Sequence, residues 1–132
     1  LEIGTGSGYQ TTILSQLVRQ VCTVERIEPL LKKAQERFRK LGLQNISAKL
    51  SDGSFGWDEH APYDGIIATA APQAVPEELL RQMAPDGILV IPVGNGQTQD
   101  LRLLRRVGES REFNEEIVEK VKFVPLLGGL SR

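Results

Sequence analysis

Several features that define whole classes of protein are missing from this sequence. It has one cysteine, Cys22, so an internal disulfide is excluded. Because Cys22 lies in an apolar run, we expect it to pack in a core, in a reducing compartment such as the cytoplasm. No apolar run reaches membrane-spanning length and no signal peptide is visible, so we expect no membrane partner. A net charge of −1 gives no electrostatic footprint for nucleic acid, and we expect no such partner either.

The rest of the composition is that of an ordinary globular protein, with 40% hydrophobic and 25% charged residues. A chain of 132 residues forms one domain, so we expect a single domain over residues 1–132 and a monomer. No methionine precedes Leu1, which falls inside an apolar run that is typical of a buried strand. We therefore expect the sequence to be part of a longer protein.

The most informative stretch is the first one, where an apolar pair is followed by three alternating glycines and an amphipathic run. This pattern predicts a strand, a tight turn and the start of a helix. Gly4, Gly6 and Gly8 have no Cβ, so the backbone can adopt positive φ and lie directly against a ligand. The following helix directs its free N–H groups and the positive end of its dipole toward the same place.

The spacing of these glycines separates two kinds of ligand. The dinucleotide fingerprint has glycine at its first, third and sixth positions, but the sixth position counted from Gly4 is Tyr9. The observed pattern, with Glu2 before the glycines, resembles the first motif of Rossmann-like methyltransferases that use S-adenosylmethionine. A carboxylate at Glu2 would complement the ammonium and sulfonium of that cofactor and would repel a pyrophosphate. The alternative is that the glycines only make a tight turn.

Two further acidic residues occur where a nucleoside would need them. Glu25 directly follows the apolar run 21–24, and it lies 21 residues after Gly4. That spacing predicts a carboxylate at the end of the neighbouring strand, where it can accept both ribose hydroxyls. Asp52-Gly53 follows the next predicted strand and could reach an adenine amino group. A solvated charge at Glu25 and a simple Asx turn at Asp52 remain the alternatives.

The order of apolar patterns predicts the fold. Ile13, Leu14, Leu17 and Val18 predict a helix over 9–20 that packs on the sheet through this face. Further patterns predict a second long helix at 28–41, a short one at 76–84, and strands at 21–24, 45–50, 63–69, 88–93, 101–107 and 117–124. Residues 94–100 are too few for a parallel crossover, so the sixth strand returns antiparallel. The predicted fold is Rossmann-like α/β, doubly wound, with a mostly parallel seven-stranded sheet and a C-terminal antiparallel hairpin.

The segment after the strand at 63–69 indicates what kind of substrate the site admits. Thr69, Ala70, Ala71 and Pro72 lie at the carboxyl edge of the sheet, where ligands bind in open α/β folds. Enzymes that methylate amide or ring nitrogens commonly have an Asn/Asp-Pro-Pro-aromatic motif there, and this chain lacks it. The site is therefore expected to take a substrate that already bears its own nucleophile. His60 is assigned no catalytic role.

Taken together, these motifs make the chain resemble the protein-L-isoaspartate O-methyltransferases nearly from end to end. The motifs that carry the resemblance are Leu1–Thr11, Val24–Arg26, Asp52-Gly53 with Gly56-Trp57, Ala61–Asp64, Thr69–Pro72, Pro85–Gly87 and Phe123–Leu126. The resemblance implies methyl transfer from S-adenosylmethionine to the free α-carboxyl of L-isoaspartyl residues. The methyl ester then closes to a succinimide that can reopen to normal aspartate, which repairs damaged proteins.

The resemblance also implies which residues form the site. The partners would be proteins and peptides that contain isoaspartate, and no metal is expected. The cofactor-binding residues would be Glu2, Gly4, Thr5, Gly6, Ser7, Gly8, Glu25, Arg26, Asp52 and Gly53. The residues on the substrate side would be Thr69, Ala70, Ala71 and Pro72.

One part of the family pattern falls outside the sequence. The family's functional serine lies upstream of the cofactor loop, so no catalytic residue is assigned in this chain. We expect this part of the protein to supply the cofactor site, without catalysing transfer alone. The alternatives are a methyltransferase for another substrate and a non-catalytic nucleotide-binding domain. Tyr9 and the short link between the fifth and sixth strands argue against a dehydrogenase.

Overall fold

The computed structural model describes all residues, 1–132, and shows three α-helices, nine strands and two short 3-10 helices at Gly53–Phe55 and Asp58–His60. The helices are α1 (Tyr9–Leu17), α2 (Glu28–Lys40) and α3 (Glu77–Arg81). The strands are β1 (Glu2–Ile3), β2 (Val21–Glu25), β3 (Ile46–Leu50), β4 (Tyr63–Ala68), β5 (Ala70–Ala71), β6 (Met83–Val93), β7 (Gln99–Arg106), β8 (Phe113–Val121) and β9 (Val124–Pro125). None of the three helices has the length and apolar character needed to span a membrane.

Seven of the strands form one sheet in the order β3-β2-β1-β4-β6-β7-β8. The first five are parallel, and β7 and β8 are antiparallel to their neighbours, which confirms the predicted fold and the C-terminal hairpin. The two remaining strands, β5 and β9, pair in parallel as a small second sheet that was not predicted.

The position of β1 determines where a ligand can bind. This two-residue strand pairs with β2 on one side and with β4 on the other. The chain therefore leaves β1 in one direction to form β2 and β3, and later returns on the other side to form β4. In open α/β sheets such a switch in strand order opens a crevice at the carboxyl ends of the strands. The glycine turn begins directly after β1, at this crevice.

The apolar core lies under the centre of the sheet. Ile3, Leu79, Met83, Leu89 and Ile91 are all almost completely buried. They come from β1, α3 and β6, so the short α3 is held to the sheet by its single apolar contact face. This packing lies beneath β1, which pairs directly with β4 and so fixes the crevice.

The predicted contact face of α1 is only partly packed, and Leu14 and Val18 face the sheet across a second cavity. Leu14 is half-buried, but Leu17 is 73% exposed, and Ile13 and Val18 are also exposed. The helix instead turns Thr11 and Ser15 inward. The hydroxyl of Thr11 donates to the buried Glu2 carboxylate, a contact that no apolar side chain could make. The hydrogen bond that the buried Glu2 carboxylate needs, rather than the row of apolar side chains, therefore determines how α1 is rotated about its axis.

Arg106 is a buried side chain that ties the β7–β8 hairpin to β6. Its guanidinium donates to the carbonyls of Met83, Glu109 and Ser110 at 2.8–2.9 Å, and the residue is only 9% exposed. We expect Arg106→Met to lower the free energy of unfolding by about 2–3 kcal/mol, because the buried Met83 carbonyl and two partly buried carbonyls lose their donor. Urea titration measures this change. Arg105→Met, at the exposed neighbouring position, is the control and should cost little. An equal loss in both variants would contradict this role for Arg106.

Candidate cofactor site

A cavity of about 460 Å³ lies at the carboxyl ends of β1, β2 and β4. Its walls include Gly4 and Gly6 of the glycine turn, Glu25 at the end of β2, and Thr69 and Ala70 after β4. The volume falls within the range of pockets that hold small molecules. The structure thus brings the glycines, the predicted ribose acid and the predicted substrate side together around one space.

The glycine turn is built by close backbone contacts. Gly4 has φ +100°, and a Cβ at this position would lie 2.5 Å from the Thr69 hydroxyl oxygen. That hydroxyl donates to the carbonyls of Ile3 (3.1 Å) and Gly4 (3.2 Å), which fixes the turn to the end of β4. Gly6 also has positive φ, and a Cβ there would meet no protein atom within 4 Å. Gly4 is therefore required by packing, whereas Gly6 faces open space.

Three of the predicted cofactor residues support the turn and do not line the cavity. Gly8 packs against α2, because a Cβ would lie 2.8 Å from the Phe38 ring and 3.2 Å from Ala34. Thr5 is buried, and its hydroxyl is hydrogen-bonded to that of Thr23 at 2.6 Å. Ser7 contributes its carbonyl, which accepts from the guanidinium of Arg37 at 2.7 Å.

Glu25 connects the glycine turn to the start of α2. One carboxylate oxygen accepts from the Gly6 N–H at 2.8 Å, and the other accepts from the Ile27 N–H at 3.1 Å. A carboxylate has about four lone-pair directions, so two stay free for further donors. The side chain is buried yet lines the cavity. It can therefore hold the turn and accept two vicinal hydroxyls at the same time.

Glu2 lies beneath the turn and is not among the cavity walls. Its carboxylate accepts from Thr11, from Thr23 at 2.7 Å and from Gln10 at 3.0 Å, and it is 1% exposed. Burial raises the pKa of Glu2 above its ordinary value, and these hydrogen bonds offset only part of that effect. The position fits a supporting role for the turn.

The raised pKa gives Glu2 a defined effect on stability. The folded chain keeps the proton in a pH range where the unfolded chain has lost it, so this residue's contribution falls as the pH rises above about 4.5. Glu2→Gln does not ionise, so its stability does not fall with pH in this way. Gln10 can rotate its amide to form a hydrogen bond with the new side chain. We expect the variant to match the original chain near pH 4 and to be at least as stable at pH 8.

Thermal unfolding at both pH values measures the difference, and Glu36→Gln on the exposed face of α2 is the control. A growing disadvantage of Glu2→Gln with rising pH would contradict this account. The result would then indicate that the Glu2 carboxylate is stabilised by its ionisation.

The Asp52 carboxylate is held by protein donors and does not line the cavity. It accepts from the N–H and hydroxyl of Ser54 and from the N–H of Gly129 at 2.9 Å. Partial burial acts to raise the pKa of Asp52, but these hydrogen bonds and nearby Arg26 outweigh it and lower the pKa. Gly53 does line the cavity, and a Cβ there would collide with Ile3.

The four residues predicted for the substrate side divide into two pairs. Thr69 and Ala70 line the cavity. Ala71 and Pro72 do not, and their carbonyls accept from Leu126 and Gly94 at 2.9 Å. His60 lies elsewhere, on a second cavity of about 700 Å³ that Leu14 and Val18 also line.

The sequence did not reveal every wall of the cavity. Ile27 and Leu30, from the start of α2, contact it directly, and so does the segment from Val124 to Leu127. The first two follow Glu25 by two and five residues, so an apolar patch after the ribose acid was a usable signal. The last segment was recognised only as part of the family resemblance.

Adenosine bearing a positively charged side chain fits the cavity chemically. Glu25 has free lone pairs for ribose hydroxyls, the apolar side chains of Ile27, Leu30 and Leu126 can contact a planar base, and the glycine turn allows close approach of a ligand. No basic side chain is needed for this ligand.

Comparison with known protein families shows to which family the chain belongs. A family model described as protein-L-isoaspartate(D-aspartate) O-methyltransferase matches residues 1–131. The chain belongs to this family. A protein-L-isoaspartate O-methyltransferase of Cellvibrio japonicus (strain Ueda107) is 55% identical over 132 residues, which is all of this chain and 59% of the relative. One from Hahella chejuensis (strain KCTC 2396) is 58% identical over the whole chain and 62% of its own length. The chain thus spans about three-fifths of the length of these curated relatives.

Solved structures share the fold of this chain. One structure bearing the name protein-L-isoaspartate O-methyltransferase superposes with a TM-score of 0.86 at 27% identity, over 98% of this chain and 42% of the other. A putative enzyme of that name from Plasmodium falciparum, solved in complex with S-adenosyl-L-homocysteine, has a TM-score of 0.80 at 22% identity. It covers 96% of this chain and 64% of that one, and it shows the shared fold.

Proposed function

We propose that the protein transfers a methyl group from S-adenosylmethionine to the free carboxyl of L-isoaspartyl residues in damaged proteins. The observation that carries this proposal is the Glu25 carboxylate, which joins the glycine turn to α2 and keeps lone pairs free at the cavity. Membership of the protein-L-isoaspartate O-methyltransferase family supplies the substrate class. The named relatives support the same reading.

The chain's own residues have separate tasks in this proposal. Glu25 accepts the ribose hydroxyls and orders Gly6. Gly4 and Gly6 form the backbone surface for the methionine end, and Gly53 with the apolar wall holds the adenine. When bound, the cofactor supplies an electrophilic methyl group on a sulfonium. Glu2 supports the turn from below, and Thr69 and Ala70 border the side from which the acceptor enters.

The acceptor explains why Thr69 and Ala70, the residues that line the cavity on the substrate side, supply no general base. A free carboxyl is ionised near neutral pH, so it needs no proton removed before it attacks. Its requirement is alignment with the methyl group, which positioned binding supplies. The small side chain of Ala70 and the Thr69 hydroxyl, already engaged with the turn, leave room for such an acceptor.

Methyl transfer to a synthetic peptide tests the proposal. A version of the protein extended to the length of its relatives should transfer label from S-adenosylmethionine to an isoaspartyl peptide and not to the matched aspartyl peptide. Residues 1–132 alone should bind the cofactor without transferring. Label on a small molecule or nucleic acid, with none on the isoaspartyl peptide, would support a methyltransferase of another class. Transfer by residues 1–132 alone would contradict the division of tasks.

We also propose that the protein works as a cytoplasmic monomer, and that residues 1–132 form its cofactor-binding domain. The single cysteine, Cys22, is buried and free, which suits a reducing compartment. Sedimentation of the purified protein tests the oligomeric state, and a stable dimer would contradict it.

A further inference from the structure

The segment after β8 lines the cofactor cavity. We call residues 124–131 the C-terminal strap. At its first end β9 pairs in parallel with β5, directly after β4. At its other end Ser131 donates its N–H to the carbonyl of Arg26 and accepts from the N–H of Glu28, both at 2.7 Å. The strap therefore runs from the substrate side of the sheet to the start of α2.

The middle of the strap forms one wall of the cavity. Val124, Pro125, Leu126 and Leu127 all line it. Leu126 also packs against the apolar core, whereas Val124 and Leu127 are more than half exposed. The strap is thus a single layer of chain, with the cavity on one face and solvent on the other. A segment with so few buried contacts can open without unfolding the sheet.

Gly129 forms a clamp at the far end of the strap. Its N–H donates to the Asp52 carboxylate at 2.9 Å, and its carbonyl accepts from the Arg26 side chain at 3.3 Å. Gly129 has φ +74°, a conformation that glycine adopts without strain. The Asp52 carboxylate and the Arg26 guanidinium therefore both bond the strap, and Arg26 also lines the cavity. Their contact with the cofactor stays a prediction.

We propose that the strap retains the bound cofactor, and that the Gly129 clamp sets how fast the cofactor leaves. This inference rests on the proposed function, because it takes the ligand of the cavity to be S-adenosylmethionine or its product S-adenosylhomocysteine. The strap forms the wall of the cavity between β4 and α2, and in this proposal a ligand on Glu25 leaves when that wall opens. Asp52 and Arg26 act as positioning residues for the strap.

The chain contains a matched control for this clamp. Gly108, in the β7–β8 turn, has φ +52°, and its N–H donates to the Asp86 carboxylate at 3.0 Å. A Cβ at either Gly108 or Gly129 would meet no atom within 4 Å. Valine at each position therefore introduces the same kind of backbone strain, but only Gly129 lies on the strap.

Surface plasmon resonance with S-adenosylhomocysteine measures the dissociation rate for the original chain, Gly129→Val, Ser131→Pro and Gly108→Val. Ser131→Pro removes the N–H that bonds the Arg26 carbonyl and tests the strap independently of Gly129. We expect the dissociation rate to rise about tenfold in both strap variants, which is the size of one lost hydrogen bond. The association rate should change much less, and Gly108→Val should stay within about twofold of the original chain.

Dissociation rates of both strap variants within twofold of the original chain would overturn the inference, and so would an equal rise in Gly108→Val. In either case binding by the original chain would leave the proposed function intact. Failure of the folded original chain to bind S-adenosylhomocysteine would overturn the proposed function and the inference together.

Discussion

Glu25→Ala is expected to weaken binding of S-adenosylhomocysteine at least about a hundredfold. The carboxylate accepts from the N–H groups of Gly6 and Ile27, and in the proposed complex it also accepts the ribose hydroxyls. Each hydrogen bond to a charged group contributes about 1.5–3 kcal/mol, so losing the two ribose contacts alone gives this loss. The Gly6 N–H is also left without its partner, which loosens the turn.

Calorimetric titration of the folded variant measures the change. Glu36→Ala removes a carboxylate from the exposed face of α2, where it pairs with Lys40, and it should bind as the original chain does. Glu25→Gln keeps the size of the side chain and should lose less than Glu25→Ala, because its one carbonyl oxygen can still accept. If Glu25→Ala bound the ligand within about threefold of the original chain, Glu25 would not be a cofactor-binding residue.

Gly4→Ala is expected to abolish measurable binding of S-adenosylhomocysteine and to lower the melting temperature. The added Cβ would lie 2.5 Å from the Thr69 hydroxyl, and alanine would be strained at φ +100°. The end of β4 or the glycine turn must therefore shift, and both are cavity walls. Calorimetry and thermal unfolding measure the two effects.

A second substitution separates the collision from the backbone strain. Thr69→Ala removes the hydroxyl that the new Cβ would meet, so Gly4→Ala/Thr69→Ala should be more stable than Gly4→Ala alone. Gly42→Ala, at φ +69° with nothing within 4 Å, gives the effect of strain away from the cavity and should leave binding unchanged. Normal binding by Gly4→Ala would show that the turn does not need its observed geometry.

The glycine turn and Glu25 could be predicted because their geometry is local. A strand, a tight turn and a helix place Gly4 at the end of one strand, and about twenty residues bring Glu25 to the end of the next. The fold followed in the same way from the alternation of strands and helices and from the short link before β7. The parallel strands of the main sheet and its antiparallel C-terminal hairpin were both predicted correctly.

The polar contact that orients α1 and the path of the strap could not be predicted by these means. Helical periodicity is detected from the spacing of apolar residues, but α1 is oriented by the Thr11 hydroxyl, which donates a hydrogen bond to the buried Glu2. The strap depends on contacts between distant parts of the chain, such as the bond from Gly129 to Asp52 across 77 residues. No local pattern encodes such pairing, so the bond between Asp52 and the strap could not be predicted. The role of Asp52 toward the cofactor stays a prediction.

The central claim is that this cavity binds S-adenosylmethionine, and calorimetric titration with S-adenosylhomocysteine tests it most directly. The same chain is titrated separately with NAD, the ligand of the competing glycine-rich fingerprint. We predict that S-adenosylhomocysteine binds with one molecule per chain and that NAD gives no heat of binding. A folded chain that binds NAD, or that gives no heat with S-adenosylhomocysteine, would contradict the claim.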